Sequence, residues 1–166
     1  MSKQLWAPWR MEYIKEQDTS TCVFCDAAAA TTDANRKIMR VLAMRPNEYV
    51  LINKYPYVFG HILICPRRHV SCIEDLSEDE QQSLFRMAID AQVALKQAIH
   101  PHGLNWGINL GKEAGAGIEA HLHIHIVPRW IGDTNFMPVV ADCHMMPGHL
   151  DDLLNELLPE FRKLES

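Results

Sequence analysis

The run His121-Leu122-His123-Ile124-His125-Ile126-Val127 places an imidazole at every second position, with aliphatic residues between. Side chains of an extended strand alternate between faces. The spacing therefore predicts a strand with its three histidines on one face and Leu122, Ile124 and Ile126 on the other. A helix would scatter the same residues around its circumference. The aliphatic face demands a core, and the imidazole face offers groups that titrate near neutral pH. Such a row suits metal binding, phosphate binding or nucleophilic attack.

The rest of the chain supplies that core. Its 166 residues fit one domain, 1–166, and 48% are hydrophobic, which argues against disorder. The formal charge of −5 argues against a broad nucleic-acid surface while leaving room for a local basic pocket. No stretch has the length of a membrane span, and Met1-Ser2-Lys3-Gln4 does not open a signal peptide. Five cysteines beside such a start are expected to be reduced thiols in a cytoplasm. Cys22-x-x-Cys25 then reads as a metal half-site or a redox motif.

Patterning outlines an α+β domain. Residues 1–20, with Trp6, Trp9 and Tyr13, form an N-terminal arm that packs onto the domain or onto another subunit. Ala27–Ala30 favour a short helix, and Thr31–Arg36 read as a polar loop. Strand signals cover Ile38–Met44 and Glu48–Asn53 around a turn at Arg45-Pro46-Asn47, then His61–Cys65 up to Pro66. Ser77 followed by three acids starts a helix whose apolar residues, from Leu84 through Met87, Ala91 and Leu95, keep helical spacing to about His100. Leu104–Leu110 reads as a strand and Gly111–Gly117 as a glycine-rich loop. Residues 147–166 form an acidic, amphipathic helical segment that Pro159 is expected to kink or split. This order implies a mostly antiparallel sheet, one long helix and a C-terminal helix.

The triad with Glu113-Ala114-Gly115 upstream and Pro128-Arg129 downstream resembles the histidine-triad (HIT) family of nucleotide hydrolases and transferases. Asn53-Lys54, Gly60-His61 and Pro66-Arg67-Arg68-His69 resemble that family's nucleoside-pocket and second-strand segments. Leu5–Ile14 and the stretch from Arg129-Trp130 to Asn135-Phe136 resemble a bacterial branch near diadenosine tetraphosphate phosphorylases. The resemblance implies a homodimer paired through the long helix and a strand, with helices on one face of the sheet.

The chemistry follows from residue type. Phosphorus in a phosphoanhydride sits behind anionic oxygens, so a neutral imidazole approaches it more readily than a carboxylate. Attack on the α-phosphate would give a nucleotidyl-histidine and divide one hard displacement into two easier ones. The resemblance puts that attack on His123 and gives His125 the phosphate or the leaving oxygen. It implies that His121 joins Cys22, Cys25 and His69 around a structural zinc, a closed set of two thiolates and two imidazoles. Asn53, Lys54, His61, Asn109, Gly115 and Gly117 would contact ribose and phosphates. Lys112 and Arg129 are further candidates for a polyphosphate tail, and Trp130 and Phe136 for the second nucleoside. Each of these also has a plain structural role open to it, as a turn residue, a packed side chain or a solvated charge. Many relatives carry Ser or Gln in the glycine loop, where Ala116 and Gly117 leave only backbone N–H groups to meet phosphate. Cys143-His144 with His149, and His100 with His102, read more simply as helix-end residues than as extra metal sites.

The leading expectation is an enzyme acting on adenosine dinucleoside polyphosphates. Inorganic phosphate as acceptor makes it a phosphorylase, slightly favoured by the flanking resemblances, and water makes it a hydrolase releasing AMP. A nucleoside phosphoramidase is a second enzymatic reading. A non-catalytic nucleotide sensor belongs to another class, and an intact His123 counts against it. A nucleic-acid deadenylating enzyme fits poorly with the acidic balance.

Overall fold

A computed structural model describes residues 21–133 and 148–165. The N-terminal arm, Asn135-Phe136 and Cys143-His144 lie outside the described residues. Five strands form one antiparallel sheet: β1 (Val41–Met44), β2 (Glu48–Ile52), β3 (Ile62–Pro66), β4 (Gly103–Ile108) and β5 (Ile124–Arg129), in the spatial order β1-β2-β3-β5-β4. The central strands β2 and β3 are buried along their whole length, because both sheet faces are covered.

One face packs on α3 (Glu78–Ile99) and α4 (Leu150–Phe161). Ser77 accepts from the Glu80 N–H while the Glu80 carboxylate accepts from the Ser77 N–H, a reciprocal cap that fixes the start of α3. Leu84, Met87, Ala88, Ala91, Ala94 and Leu95 then line its inner face against Val50, Ile52, Ile62, Ile64, Leu122, Ile124 and Ile126. His100 ends α3 in the left-handed conformation, just before Pro101.

The opposite face is covered by α1 (Val23–Ala28), whose Phe24, Ala27 and Ala28 pack on Tyr49, Leu51, Leu63 and Cys65. Helices therefore flank both faces, where one was expected. Thr31–Arg36 also departs from the loop reading: Thr32 caps the Asn35 N–H and starts α2 (Asp33–Ile38), which takes Ile38 out of β1. Pro159 does not split the last helix. It sits in the final turns, and α4 runs through to Phe161 before a 3-10 turn at Arg162–Glu165. Among the described residues no helix is long and apolar enough to cross a membrane.

Candidate active site and metal centre

β5 begins only at Ile124, so His121 and His123 lie on its extended approach. The alternation nevertheless holds. Leu122, Ile124 and Ile126 enter the core under α3, and the three histidines lie on the α1 face, all buried. His61, one residue before β3, joins them from the neighbouring strand. Gly60 makes this possible with a left-handed φ of 82° and no side chain. A Cβ there would lie 2.6 Å from Ile99 Cδ1 and 2.8 Å from Pro128 Cγ.

Backbone partners fix each imidazole's tautomer. A carbonyl only accepts, so His123 Nδ1 donates to the His121 carbonyl at 2.8 Å, and its Nε2 keeps a lone pair. His121 Nε2 likewise donates to the Pro66 carbonyl at 2.9 Å, leaving the Nδ1 lone pair free. An amide N–H only donates, so His61 Nδ1 accepts from Tyr57 N–H at 3.1 Å, with the Asn53 amide nitrogen 3.2 Å away. Neutral His61 therefore carries its proton on Nε2 and gives it to His125 Nδ1 at 2.9 Å. That leaves His125 with an Nε2–H, a buried donor that meets no acceptor among the described residues.

Electrostatics keep this chain of imidazoles neutral. Burial, with the neighbouring His125 and His123, lowers His61 to about 3. Burial and His123 lower His125 to about 4. His123 also falls, chiefly by desolvation, partly offset by its bond to the His121 carbonyl. Phe24 packs on His123 with ring centroids 5.0 Å apart. The rings of His123 and His125 are 4.8 Å apart, and Tyr57 stacks at 19° on His125. The pair combines a free lone pair with an N–H donor, groups able to serve as a nucleophile and as a stabiliser of developing negative charge.

Cys22, Cys25, His69 and His121 offer four ligand atoms within 4.8 Å of one another. The Nδ1 of His121 lies 3.5 Å from Cys22 Sγ and 3.7 Å from Cys25 Sγ, and the Nδ1 of His69 lies 3.2 Å from Cys25 Sγ. Tetrahedral zinc bonds of about 2.0–2.3 Å put donors roughly 3.3–3.8 Å apart, so these residues fit the ion. The Pro66 carbonyl orients His121 with its lone pair toward the cluster, as a ligand requires. These four make the metal-ligating cluster found among the described residues.

The other expected contacts are placed less uniformly. Asn53 is occupied locally: its Oδ1 accepts from Tyr55 N–H and its amide nitrogen faces His61. Lys54 Nζ lies 5.8 Å from the Tyr55 ring centroid. The loop carrying Asn109 leaves β4 just past the Ile108–Ile124 pair, near His123, and Asn109 donates to the Gly115 carbonyl at 3.4 Å. Gly115 is left-handed, with φ 90°, and a Cβ on Gly117 would meet open space. Lys112 sits in a 3-10 turn of this loop. Arg129 makes a two-pronged pair with Asp133, at 2.6 and 3.1 Å. His102 accepts from Ile131 N–H and His100 caps α3 through its backbone, and neither belongs to the metal-ligating cluster found among the described residues. Sequence reasoning missed Phe24, Tyr57 and Gly107. Gly107 pairs with His125 across the sheet, and its missing side chain leaves space beside that ring. An aromatic inside the Cys-x-x-Cys and another four residues before His61 were the available signals.

A sheet face carrying an alternating histidine row, completed by a fourth histidine and a thiolate–imidazole cluster, defines a histidine-triad protein. The HIT domain family matches residues 36–130, and the chain belongs to that family. It is 34% identical to the AP-4-A phosphorylase of Mycobacterium tuberculosis, across 97% of this chain and 85% of that one. The bis(5'-adenosyl)-triphosphatase of Dictyostelium discoideum is 36% identical across 49% of this chain and 54% of its own. Among solved structures, a hypothetical histidine triad nucleotide-binding protein from Sulfolobus tokodaii superposes with a TM-score of 0.67 at 26% identity, covering 86% of this chain and 93% of that one. A Zn-bound histidine triad family protein from Mycobacterium smegmatis shares the fold, with a TM-score of 0.67 at 22% identity and 87% and 95% coverage.

Proposed function

We propose that this chain is an enzyme that cleaves dinucleoside polyphosphates at the α-phosphate through a nucleotidyl-His123 intermediate, with inorganic phosphate as the favoured acceptor. The carrying observation is the His123 Nδ1–H bond to the His121 carbonyl, which leaves the Nε2 lone pair free on a ring 4.8 Å from that of His125, whose Nε2–H is unmatched. The similarity to an AP-4-A phosphorylase over nearly the whole chain supports the substrate class.

In the first step the Nε2 pair forms a bond to phosphorus, the bridging P–O bond breaks, and its electrons leave on the departing polyphosphate. That group is acidic enough to leave unprotonated, so His125 has only to donate a hydrogen bond to the growing charge. The imidazole becomes a nucleotidyl-imidazolium whose remaining Nδ1–H rests on the His121 carbonyl. In the second step an oxygen of phosphate or water attacks phosphorus, and the N–P pair returns to Nε2. Phosphate yields a nucleoside diphosphate. Water yields a monophosphate and releases a proton.

In this reading Asn53 meets the ribose, Lys54 the polyphosphate tail, and Asn109 and the backbone at Gly115 and Gly117 the phosphates. Zinc on Cys22, Cys25, His69 and His121 would be structural, tying α1 to the sheet. Two copies would pair through α3 and the open edge of β4, where Phe85 and Trp106 rings meet at 5.9 Å. The free thiols suit a cytoplasmic location.

Chromatography of products from diadenosine tetraphosphate, with and without inorganic phosphate, tests the reading. ADP plus ATP formed only with phosphate is expected, and His123→Ala should form neither. AMP plus ATP in both buffers would replace phosphorolysis by hydrolysis. Turnover retained in His123→Ala would refute the nucleophile.

A further inference from the structure

We infer that Tyr57 is a specificity residue, a stacking platform for the base of the departing nucleotide. The inference rests on the proposed reading of His123 and His125. Tyr57 lies between β2 and β3 on a segment whose backbone is tied down at several points. Its own N–H is held by His61 Nδ1, Asn53 N–H donates to the His61 carbonyl at 3.0 Å, and His61 N–H donates to the Val58 carbonyl at 3.3 Å. The ring is therefore carried on a fixed stem. One side packs on the relay, 4.7 Å from the His61 ring and 5.8 Å from His125. Yet the residue is 56% exposed, far more than the buried histidines it touches. A large aromatic with one side seated and the other free is built to accept a second flat group.

Its place along the reaction coordinate identifies that group. In an in-line displacement the leaving oxygen lies opposite the nucleophile across phosphorus. His125, the donor to that oxygen, neighbours both other rings, His123 at 4.8 Å and Tyr57 at 5.8 Å. A chain departing past His125 meets the Tyr57 ring next. A dinucleoside polyphosphate carries a base at the end of that chain, whereas a mononucleoside polyphosphate carries only phosphate there. Every base has a π-face, so Tyr57 would favour dinucleotides over mononucleotides without choosing among bases.

The test is calorimetric binding of diadenosine tetraphosphate and of adenosine 5'-tetraphosphate in a His123→Ala background, with Tyr57 intact, Tyr57→Leu or Tyr57→Phe. Leucine keeps apolar cover over His61 and His125 but has no π-face. Stacking is worth about 1–3 kcal/mol per base, so Tyr57→Leu should weaken the dinucleotide roughly 5- to 150-fold more than the mononucleotide. Tyr57→Phe should restore the preference. Equal losses for both ligands, or none, would reduce Tyr57 to a cover for the histidines and overturn the inference. Binding of neither ligand by the His123→Ala protein would refute it together with the proposed function. Cleavage by the wild-type chain is scored separately. Selective loss of binding without wild-type turnover would leave the platform standing and sink the enzyme.

Discussion

Lowering the pH from 7 to 5 puts a measurable load on His61. The ring is fully buried and its Nδ1 accepts from Tyr57 N–H, so a proton arriving at Nδ1 would break that bond inside a dry site. The folded chain holds His61 at about 3, while an unfolded chain returns it to its ordinary value of 6.5. Between those values the unfolded state binds a proton that the folded state refuses. Stability from this group is therefore complete above pH 6.5 and falls as the pH drops toward 3. At pH 5 the unfolded chain gains 1.5 pH units at about 1.36 kcal/mol each, a loss of about 2 kcal/mol. The figure depends on the folded value only in its lying well below 5. His61→Gln removes the titration while keeping a neutral donor and acceptor. Urea unfolding of both proteins, zinc-loaded, at pH 7 and 5 should show the wild type losing about 2 kcal/mol more, or ~1 M in midpoint. An identical pH dependence would mean that folded His61 accepts a proton readily. Tyr57 N–H would then not be bonded to Nδ1, and the assigned His125 Nε2–H would fall with it.

The same desolvation bears on catalysis. With His125 at about 4 and His123 lowered, kcat/KM at pH 5.5 should stay well above a tenth of its pH 7.5 value, the fraction an ordinary imidazole of pKa ~6.5 would retain. A tenfold drop by pH 5.5 would contradict it. Gly60→Ala forces a left-handed alanine against Ile99 and Pro128 and should cost about 2–4 kcal/mol in urea unfolding. A loss below ~1 kcal/mol would show that the Gly60 turn yields easily. Cys22→Ser should lower bound zinc, measured by elemental analysis, and reduce the melting temperature by roughly 5–10 °C, about 2–3 kcal/mol. Unchanged zinc and melting would remove Cys22 from the site.

The sheet and the long helix were legible because their signals are local and periodic. Alternation in His121–Val127 and the spacing from Leu84 to Leu95 each report which face is buried, whatever the rest of the chain does. Ile38 and Thr31–Arg36 were misassigned for the converse reason. Thr32 is a good cap whose effect shows only once Asn35 N–H turns back on it, and the apolar Ile38 ends that helix 70% exposed, where a strand reading would bury it. The four metal ligands were legible as residue types, but the geometry that sets their spacing is tertiary. His69 and His121 reach Cys25 only because α1 lies across β3 and the approach to β5.

The tautomers were beyond the sequence altogether, and they carry most of the chemistry. A row of three identical side chains does not say which nitrogen of each is free. Here the answer comes from main-chain groups: the Pro66 carbonyl for His121, the His121 carbonyl for His123, and the Tyr57 N–H, acting through His61, for His125. Three like residues thus differ in the nitrogen left over: a lone pair toward thiols on His121, an Nε2 lone pair on His123, and an Nε2–H on His125. The first two are joined physically. The His121 carbonyl accepts from His123 Nδ1–H while its ring faces the thiols, and Phe24, lying between those thiols in sequence, packs on both the His121 and His123 rings at 5.4 and 5.0 Å. Anything that loosens α1 would therefore expose His123 and unsettle the carbonyl that orients it, so a structural metal at this position would act on His123 through the chain, without contact of its own.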